Sequence, residues 1–271
     1  MPELPEVETI ARGLRRPLIG RRIISARFDW PRQVVIPSAA ELARRIPGRC
    51  ITAVGRRGKY LIFSLDDGQS LVIHLKMTGQ LGVYPAEAPA DKHVHTALAL
   101  EGGDELRFRD MRKFGRVYLV DDLTQVTGAL GPEPLDKHFG AKKLADRLQG
   151  RTRQLKPLLL DQSFVAGVGN IYADEALFEA GLHPQRPANE LSPAEIEALH
   201  SAIRYVLTTG ILKQGASLDA VYRTPDGAMG QMQEAFKVYG RGDQPCYRCG
   251  TPIRRIILGQ RSTHFCPGCQ C

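Results

Sequence analysis

Residues 246–269 read CYRCGTPIRRIILGQRSTHFCPGC, and the four cysteines in this stretch, Cys246, Cys249, Cys266 and Cys269, say more about the fold than any other run. Two C-x2-C pairs with 16 residues between them have the spacing of a zinc site. Each pair can set both sulfurs on one side of a tight turn, about 2.3 Å from a shared Zn²⁺, and two such turns complete a tetrahedron with no position left for water. The expected site is therefore structural. Two disulfides are the competing reading. The N-terminus argues against them, because PELPE after Met1 is unlike a basic and then apolar leader into an oxidising compartment. Cys271 is a possible spare ligand at poorer spacing, and Cys50 is read as a half-buried thiol without a role. Between the pairs, RRIIL and RSTHF flank Gly259-Gln260, which predicts a hairpin with Arg261 near its tip. A clamped hairpin can hold that guanidinium rigidly in front of a phosphate. Four thiols leave His264 a surface or packing role.

Outward from the cysteines, charge points the same way. The chain of 271 residues carries a formal net charge of +8, with 43% apolar and 24% charged residues, which predicts a soluble globular protein. No run approaches the roughly 18 apolar residues of a membrane span. The basic excess is concentrated rather than spread. Lys142, Lys143, Arg147, Arg151, Arg153 and Lys156 face only Asp146 in residues 142–156, and five arginines face only Asp243 in residues 241–271. Such clustering suggests a polyanionic partner, above all nucleic acid, over a generally basic surface.

The remainder divides by periodicity. Residues 5–15 are expected to be helical, with Pro5, Glu6 and Glu8 at the start, arginines at the end and an apolar face of Val7, Ile10, Leu14 and Leu18. From residue 21 to about 122 the pattern alternates, and runs such as 60–65 and 70–75 around DDGQ predict seven or eight strands in a sandwich or flattened barrel. Pro132 and Pro134 mark a boundary. Beyond it, Ser192-Pro193-Ala194-Glu195 predicts a capped helix, and GVGN at 167–170 predicts a glycine turn feeding a helix capped by Asn170 and ending at Ala180. Free amides at such a helix start suit a phosphate. The expected fold is α+β and multidomain: 1–134 a sandwich with an N-terminal helix, 135–236 helical, and 237–271 the finger.

Six motifs, PELPEVE at 2–8, HLKMTG at 74–79, DMRKFG at 110–115, LGPEPL at 130–135, GVGNIY at 167–172 and the finger, together resemble formamidopyrimidine-DNA glycosylase. The resemblance runs collinearly from Pro2 to Gln270 and extends to endonuclease VIII, a sister group. It implies a β-sandwich, a helix–two-turns–helix domain and a zinc finger with one structural Zn²⁺. The implied activity is excision of oxidised purines from double-stranded DNA, followed by strand cleavage through β,δ-elimination. The implied enzyme is a cytoplasmic, nucleoid-associated monomer that also acts on abasic sites, with no membrane partner.

The same resemblance implies the site residues. Pro2, exposed as an amine once Met1 is removed, is the nucleophile; an α-amine titrates near pH 7.7–8, well below a lysine. Glu3 is the acid, Glu6 orients the helix start, and Lys59 binds phosphate and is a candidate proton donor in elimination. Without the family, Lys59 reads as an edge-strand lysine. Arg261 grips a phosphate, a better role for a group with pKa above 12 than proton donation. Met77, Arg112 and Phe114 fill the gap left by an extruded nucleotide. His93, Arg151, Arg153, Lys156 and Asn170 match DNA contacts. Residues 215–232 are implied to form the loop over the extruded base. There the sequence departs from the family pattern, with Ser217-Leu218-Asp219 and Asp226-Gly227-Ala228-Met229-Gly230-Gln231. An endonuclease VIII-like activity and a non-catalytic binder of distorted DNA are the alternatives.

Overall fold

An extended backbone at Glu3 and a reciprocal capping arrangement with Glu6 start the first helix, and Pro5 sits in the first turn, where its missing N–H costs nothing. Helix α1 runs Leu4–Leu18 rather than 5–15. The extension follows from the apolar stripe, since Leu4, Val7, Ile10, Ala11, Leu14 and Leu18 are all buried. The computed structural model describes residues 1–218 and 222–271, which form two compact units: residues 1–128 with 214–231, and residues 129–213 with 232–271. The sequence reading divides the chain at 134 and 236; the compact units change after Gly128 and return residues 214–231 to the first. Asp219 lies outside the described residues.

The first unit continues with β1 (Ile23–Phe28), β2 (Val34–Ile36), α2 (Ala39–Arg45), β3 (Ile51–Arg57), β4 (Tyr60–Leu65), β5 (Ser70–His74), β6 (Gly79–Pro85), β7 (Val94–Leu100), β8 (Asp104–Asp110), β9 (Arg116–Val120) and α3 (Thr124–Thr127). That is nine strands among the described residues, slightly more than the seven or eight expected. They build two sheets, ordered β1-β7-β8-β6 and β2-β9-β5-β4-β3. All neighbours are antiparallel except the short β2 beside β9. Along β4, Leu61, Phe63 and Leu65 are buried while Tyr60, Ile62 and Ser64 are half-buried, the period-two pattern of a sheet packed on one face. Leu98, Leu106 and Phe108 of one sheet, Phe63, Ile73 and Val117 of the other, and Val7, Ile10 and Leu14 of α1 join one apolar cluster. Each such side chain stabilises the fold by about 1.5–3 kcal/mol, so the sandwich stands on hydrophobic burial.

The second unit contains α4 (Ala141–Leu148), α5 (Leu155–Leu159), α6 (Asn170–Ala180), α7 (Pro193–Leu212), β10 (Arg254–Leu258) and β11 (Arg261–Phe265). Ser192 caps α7 with Glu195 in the expected capping box. Helix α6 corrects the sequence reading by one residue. Gly169 is the cap, and Asn170 is already helical, with its Nδ2 donating to the Ser262 carbonyl at 3.1 Å. Glycine's extended backbone fits the cap position, which frees the asparagine amide for that longer reach. Helix α6 is buried nearly all round, from Ile171 to Phe178, which is why its sequence shows no polar face. Strands β10 and β11 pair through a two-residue turn, with Leu258 opposite Arg261. Gly259 and Gln260 have φ of 56° and 61°, the left-handed pair that a tight hairpin requires. No helix among the described residues is long and apolar enough to cross a membrane.

Candidate functional site

Burial separates the acidic and basic groups at the start of the first unit from an ordinary surface. Glu3 is 3% exposed and Lys59 5% exposed, and Pro2 is buried as well. Lys59 lies in the two-residue turn between β3 and β4, where Arg57 pairs with Tyr60. Arg56 bonds Glu8 at 2.7 Å, which brings this hairpin end alongside the first turns of α1. A buried turn lysine does not fit the edge-strand role. His74, at the end of β5, has no sequence signal beyond its place in HLKMTG. Burial, with Lys76 and Lys59 adding repulsion, pushes its imidazole down to about 3. Its Nδ1 accepts the Lys76 N–H at 2.9 Å, so the neutral ring carries its proton on Nε2 and offers a donor there.

Met77, Arg112 and Phe114 come together at one corner of the sandwich. The Arg112 guanidinium lies 4.7 Å from the centre of the Phe114 ring, and its Nη1 is 3.1 Å from the Met77 sulfur. All three are exposed, with Met77 at 40% and Phe114 at 44%. Two apolar side chains held in water around a guanidinium are not core. The corner is rigid because Asp110, fully buried, ties its two loops. One oxygen accepts the Thr78 hydroxyl at 2.5 Å and the other the Gly115 N–H at 2.7 Å, while Thr78 Oγ1 accepts the Arg112 N–H at 3.1 Å. Gly115 must be glycine, since a Cβ there would lie 2.4 Å from the Phe108 ring. His93 borders the corner, its carbonyl accepting the Asp110 N–H at 2.8 Å.

In the second unit two residues read as DNA contacts converge on the finger. Lys156 is fully buried. Its ammonium donates to the Ser262 carbonyl at 2.7 Å and to Thr263 Oγ1 at 2.9 Å, and pairs with Asp174 at 2.6 Å. Asn170 reaches the same Ser262 carbonyl. The other Asp174 oxygen accepts the His264 N–H at 2.9 Å, which gives His264 the packing role expected. The peptide units following Arg261 are thus pinned from beneath while Arg261 itself is exposed. Glu175 holds the approach to the finger, accepting the N–H groups of Lys237, Val238 and Tyr239 at 2.8–3.0 Å. Burial raises its pKa despite those three donors. Sequence reasoning singles out neither acid; two adjacent carboxylates in an otherwise apolar helix are the available signal. Arg151 and Arg153 are exposed. Arg153 pairs with Asp161 at 3.0 Å, and Arg151 lies over the Phe164 ring at 5.6 Å.

The sulfurs of Cys246, Cys249, Cys266 and Cys269 lie within 4.8 Å of one another, with three separations between 3.4 and 3.9 Å. Tetrahedral Zn²⁺ with bonds of about 2.3 Å needs edges of about 3.8 Å, so the four thiols suit one structural zinc. Cys271 is not in the cluster; its backbone bonds Gly181 and His183. Cys50 stays a half-buried thiol.

A four-thiolate finger on a basic helical unit defines a zinc-containing nucleic-acid-binding protein. Comparison with known proteins narrows the class. Residues 1–117 match the formamidopyrimidine-DNA glycosylase N-terminal domain, residues 130–221 its H2TH domain, and residues 243–270 the zinc finger found in FPG and IleRS. The chain is 50% identical to the formamidopyrimidine-DNA glycosylase of Herpetosiphon aurantiacus, with both chains fully covered. It is 51% identical to that of Chloroflexus aurantiacus, covering all of this chain and 98% of the relative. Among solved structures it is similar to a point mutant of Lactococcus lactis FPG in complex with DNA containing Fapy-dG, with TM-score 0.92, 38% identity and 99% of each chain covered. It is similar also to the MutM (FPG) protein of Thermus thermophilus, with TM-score 0.90, 42% identity, and 99% and 98% covered. The chain belongs to the formamidopyrimidine-DNA glycosylase family.

Proposed function

We propose that this protein is a bifunctional base-excision repair enzyme that removes oxidised purines, formamidopyrimidines and 8-oxoguanine, from double-stranded DNA and then cleaves the strand. The observation that carries the reading is the exposed Met77–Arg112–Phe114 corner, pinned by a fully buried aspartate. An enzyme that extrudes a nucleotide loses stacking worth a few kcal/mol, and an apolar wedge with a guanidinium facing the orphaned partner base offsets part of it.

While Met1 is attached, the Pro2 nitrogen is a tertiary amide and cannot react. With Met1 removed, the secondary amine attacks C1′, forming the N–C1′ bond as the glycosidic bond breaks. The base leaves with the bonding pair, the ammonium formed at Pro2 gives up its proton, and the C1′–O4′ bond then breaks with its pair left on O4′; Glu3 protonates that ring oxygen or the departing base. The resulting iminium is the electron sink for β- and then δ-elimination, which release the 3′ and 5′ phosphates in turn. Lys59 and neutral His74 offer donors to phosphate at this end. In the finger, Arg261 grips a phosphate beside the lesion. Lys156 and Asn170 act through the Ser262 carbonyl to aim it, and Arg151 and Arg153 add charge along the backbone. Zinc supplies only rigidity. The enzyme works as a cytoplasmic monomer at the nucleoid.

The test compares two substrates. Arg112→Ala is expected to slow excision on intact damaged duplex about tenfold or more, while cleavage at a pre-formed abasic site, which has no base to extract, changes little. Equal losses on both would assign the corner to the fold.

A further inference from the structure

Glu6 has no task in that chemistry, yet it is 2% exposed. Its two oxygens serve two different segments. Oε2 accepts the Glu3 N–H at 2.8 Å, and Oε1 accepts the N–H of Ala216, 210 positions further along the chain, also at 2.8 Å. The neck of the 214–231 segment is built around this carboxylate. Gly215 has φ +81°, and a Cβ there would lie 2.8 Å from Glu6 Cγ and 2.9 Å from its Oε1. Ser217 Oγ donates to the Tyr222 carbonyl at 2.9 Å and accepts the Gly230 N–H at 3.0 Å. The Tyr222 hydroxyl donates to the Gln214 carbonyl at 3.0 Å. Burial, reinforced by the Glu6 charge, holds the Tyr222 phenol protonated far above its ordinary range, so it remains a donor.

We propose that Glu6 is a positioning residue that registers the base-holding loop against the N-terminal reactive residues, so that one buried carboxylate sets both. The proposal rests on the reading of residues 215–232 as the loop over an extruded base. A helix cap needs one acceptor oxygen; the second bond to Ala216 is what a cap alone does not require. A carboxylate is the side chain suited to the task, because both oxygens accept. An amide offers one acceptor and two donors, and therefore leaves one buried N–H facing an NH₂ group.

Glu6→Gln and Gly215→Ala test this, alone and combined, in single-turnover assays on a damaged-base duplex and on an abasic duplex, alongside amide hydrogen exchange. Losing one buried acceptor should slow base excision by about ten- to a hundredfold. Abasic cleavage, with no base for the loop to hold, should fall by no more than about threefold. The Ala216 amide should lose protection in Glu6→Gln while the amides of β4 keep theirs, which reports that the sandwich is folded. Because both substitutions break one anchor, the double variant should be no slower than the slower single one. Unchanged excision in Glu6→Gln, equal losses on the two substrates, or effects that multiply would overturn the proposal. Should the wild type excise no damaged base at all, the functional reading fails instead. The Ala216 exchange still judges the anchor then, and retained protection in Glu6→Gln would refute it.

Discussion

The wedge corner of the sandwich and the hairpin of the finger both present an arginine to solvent, but they are held in opposite ways. Arg112 stands on a scaffold whose apolar cluster draws on both sheets and α1, and one buried aspartate is enough to fix the loops above it. Arg261 stands on a hairpin beside a far smaller apolar cluster among the described residues, Phe178, Val238, Cys246, Ile253 and Cys266, with Cys269 packed against it. So small a core does not hold a fold by itself. Metal, a buried ion pair and buried hydrogen bonds replace it: Lys156 and Asp174 by charge, and Glu175 through three backbone N–H groups, hold what Phe63 and Phe108 hold by area. The difference predicts which perturbations travel. Damage to the finger should be lost cooperatively, and damage to the wedge corner should stay local.

The largest effect should come from the metal. Structural zinc binding is worth on the order of 10 kcal/mol or more to a small finger. Chelation should therefore unfold the hairpin and abolish DNA binding, while the sandwich keeps its β-sheet circular dichroism and its own unfolding transition. Full lesion binding after verified metal removal would erase the contrast.

Next in size is the buried lysine. Lys156→Met leaves Asp174 without its ammonium, a loss of about 3–5 kcal/mol for a broken buried pair. If Lys156 acts only by aiming Arg261, Arg261→Ala should flatten the salt dependence of DNA binding by about one phosphate contact. Adding Lys156→Met to that variant should then flatten it no further. A further drop of one contact would make Lys156 a phosphate ligand after all. The smallest effect on stability belongs to the wedge. The Arg112→Ala change that slows excision should shift the unfolding midpoint by no more than a surface substitution does, within about 0.5 kcal/mol.

The finger is the most legible part of the chain because its chemistry is written in spacing: two C-x2-C pairs have few other readings. The sandwich is legible as a class from alternation such as that of residues 60–65, and α1 and α7 from their caps. The contacts within the site are not. Nothing local in LKP at 155–157 distinguishes a lysine facing phosphate from one buried against Asp174; that depends on a partner 18 positions away in α6. Glu6 reads as a residue that orients the helix start, and from the N3 position it accepts the Glu3 N–H. Its second bond, to Ala216, spans most of the chain and leaves no local trace. Sequence alone sets Asn170 one position too far out, because a cap asparagine and a first-turn asparagine differ only in backbone angles. Burial and long-range pairing, which single-residue patterns do not encode, separate these cases.

Borohydride trapping on a lesion duplex tests the proposal that the N-terminal proline amine does the chemistry. Protein with a free Pro2 amine should give a covalent adduct. Protein retaining Met1, or bearing an uncleavable N-terminal extension, should bind the same duplex and give none, because a tertiary amide cannot form an iminium. If the blocked protein traps and cleaves as well as the free one, the Pro2 amine is not the nucleophile, and Lys59 is the first residue to substitute in its place.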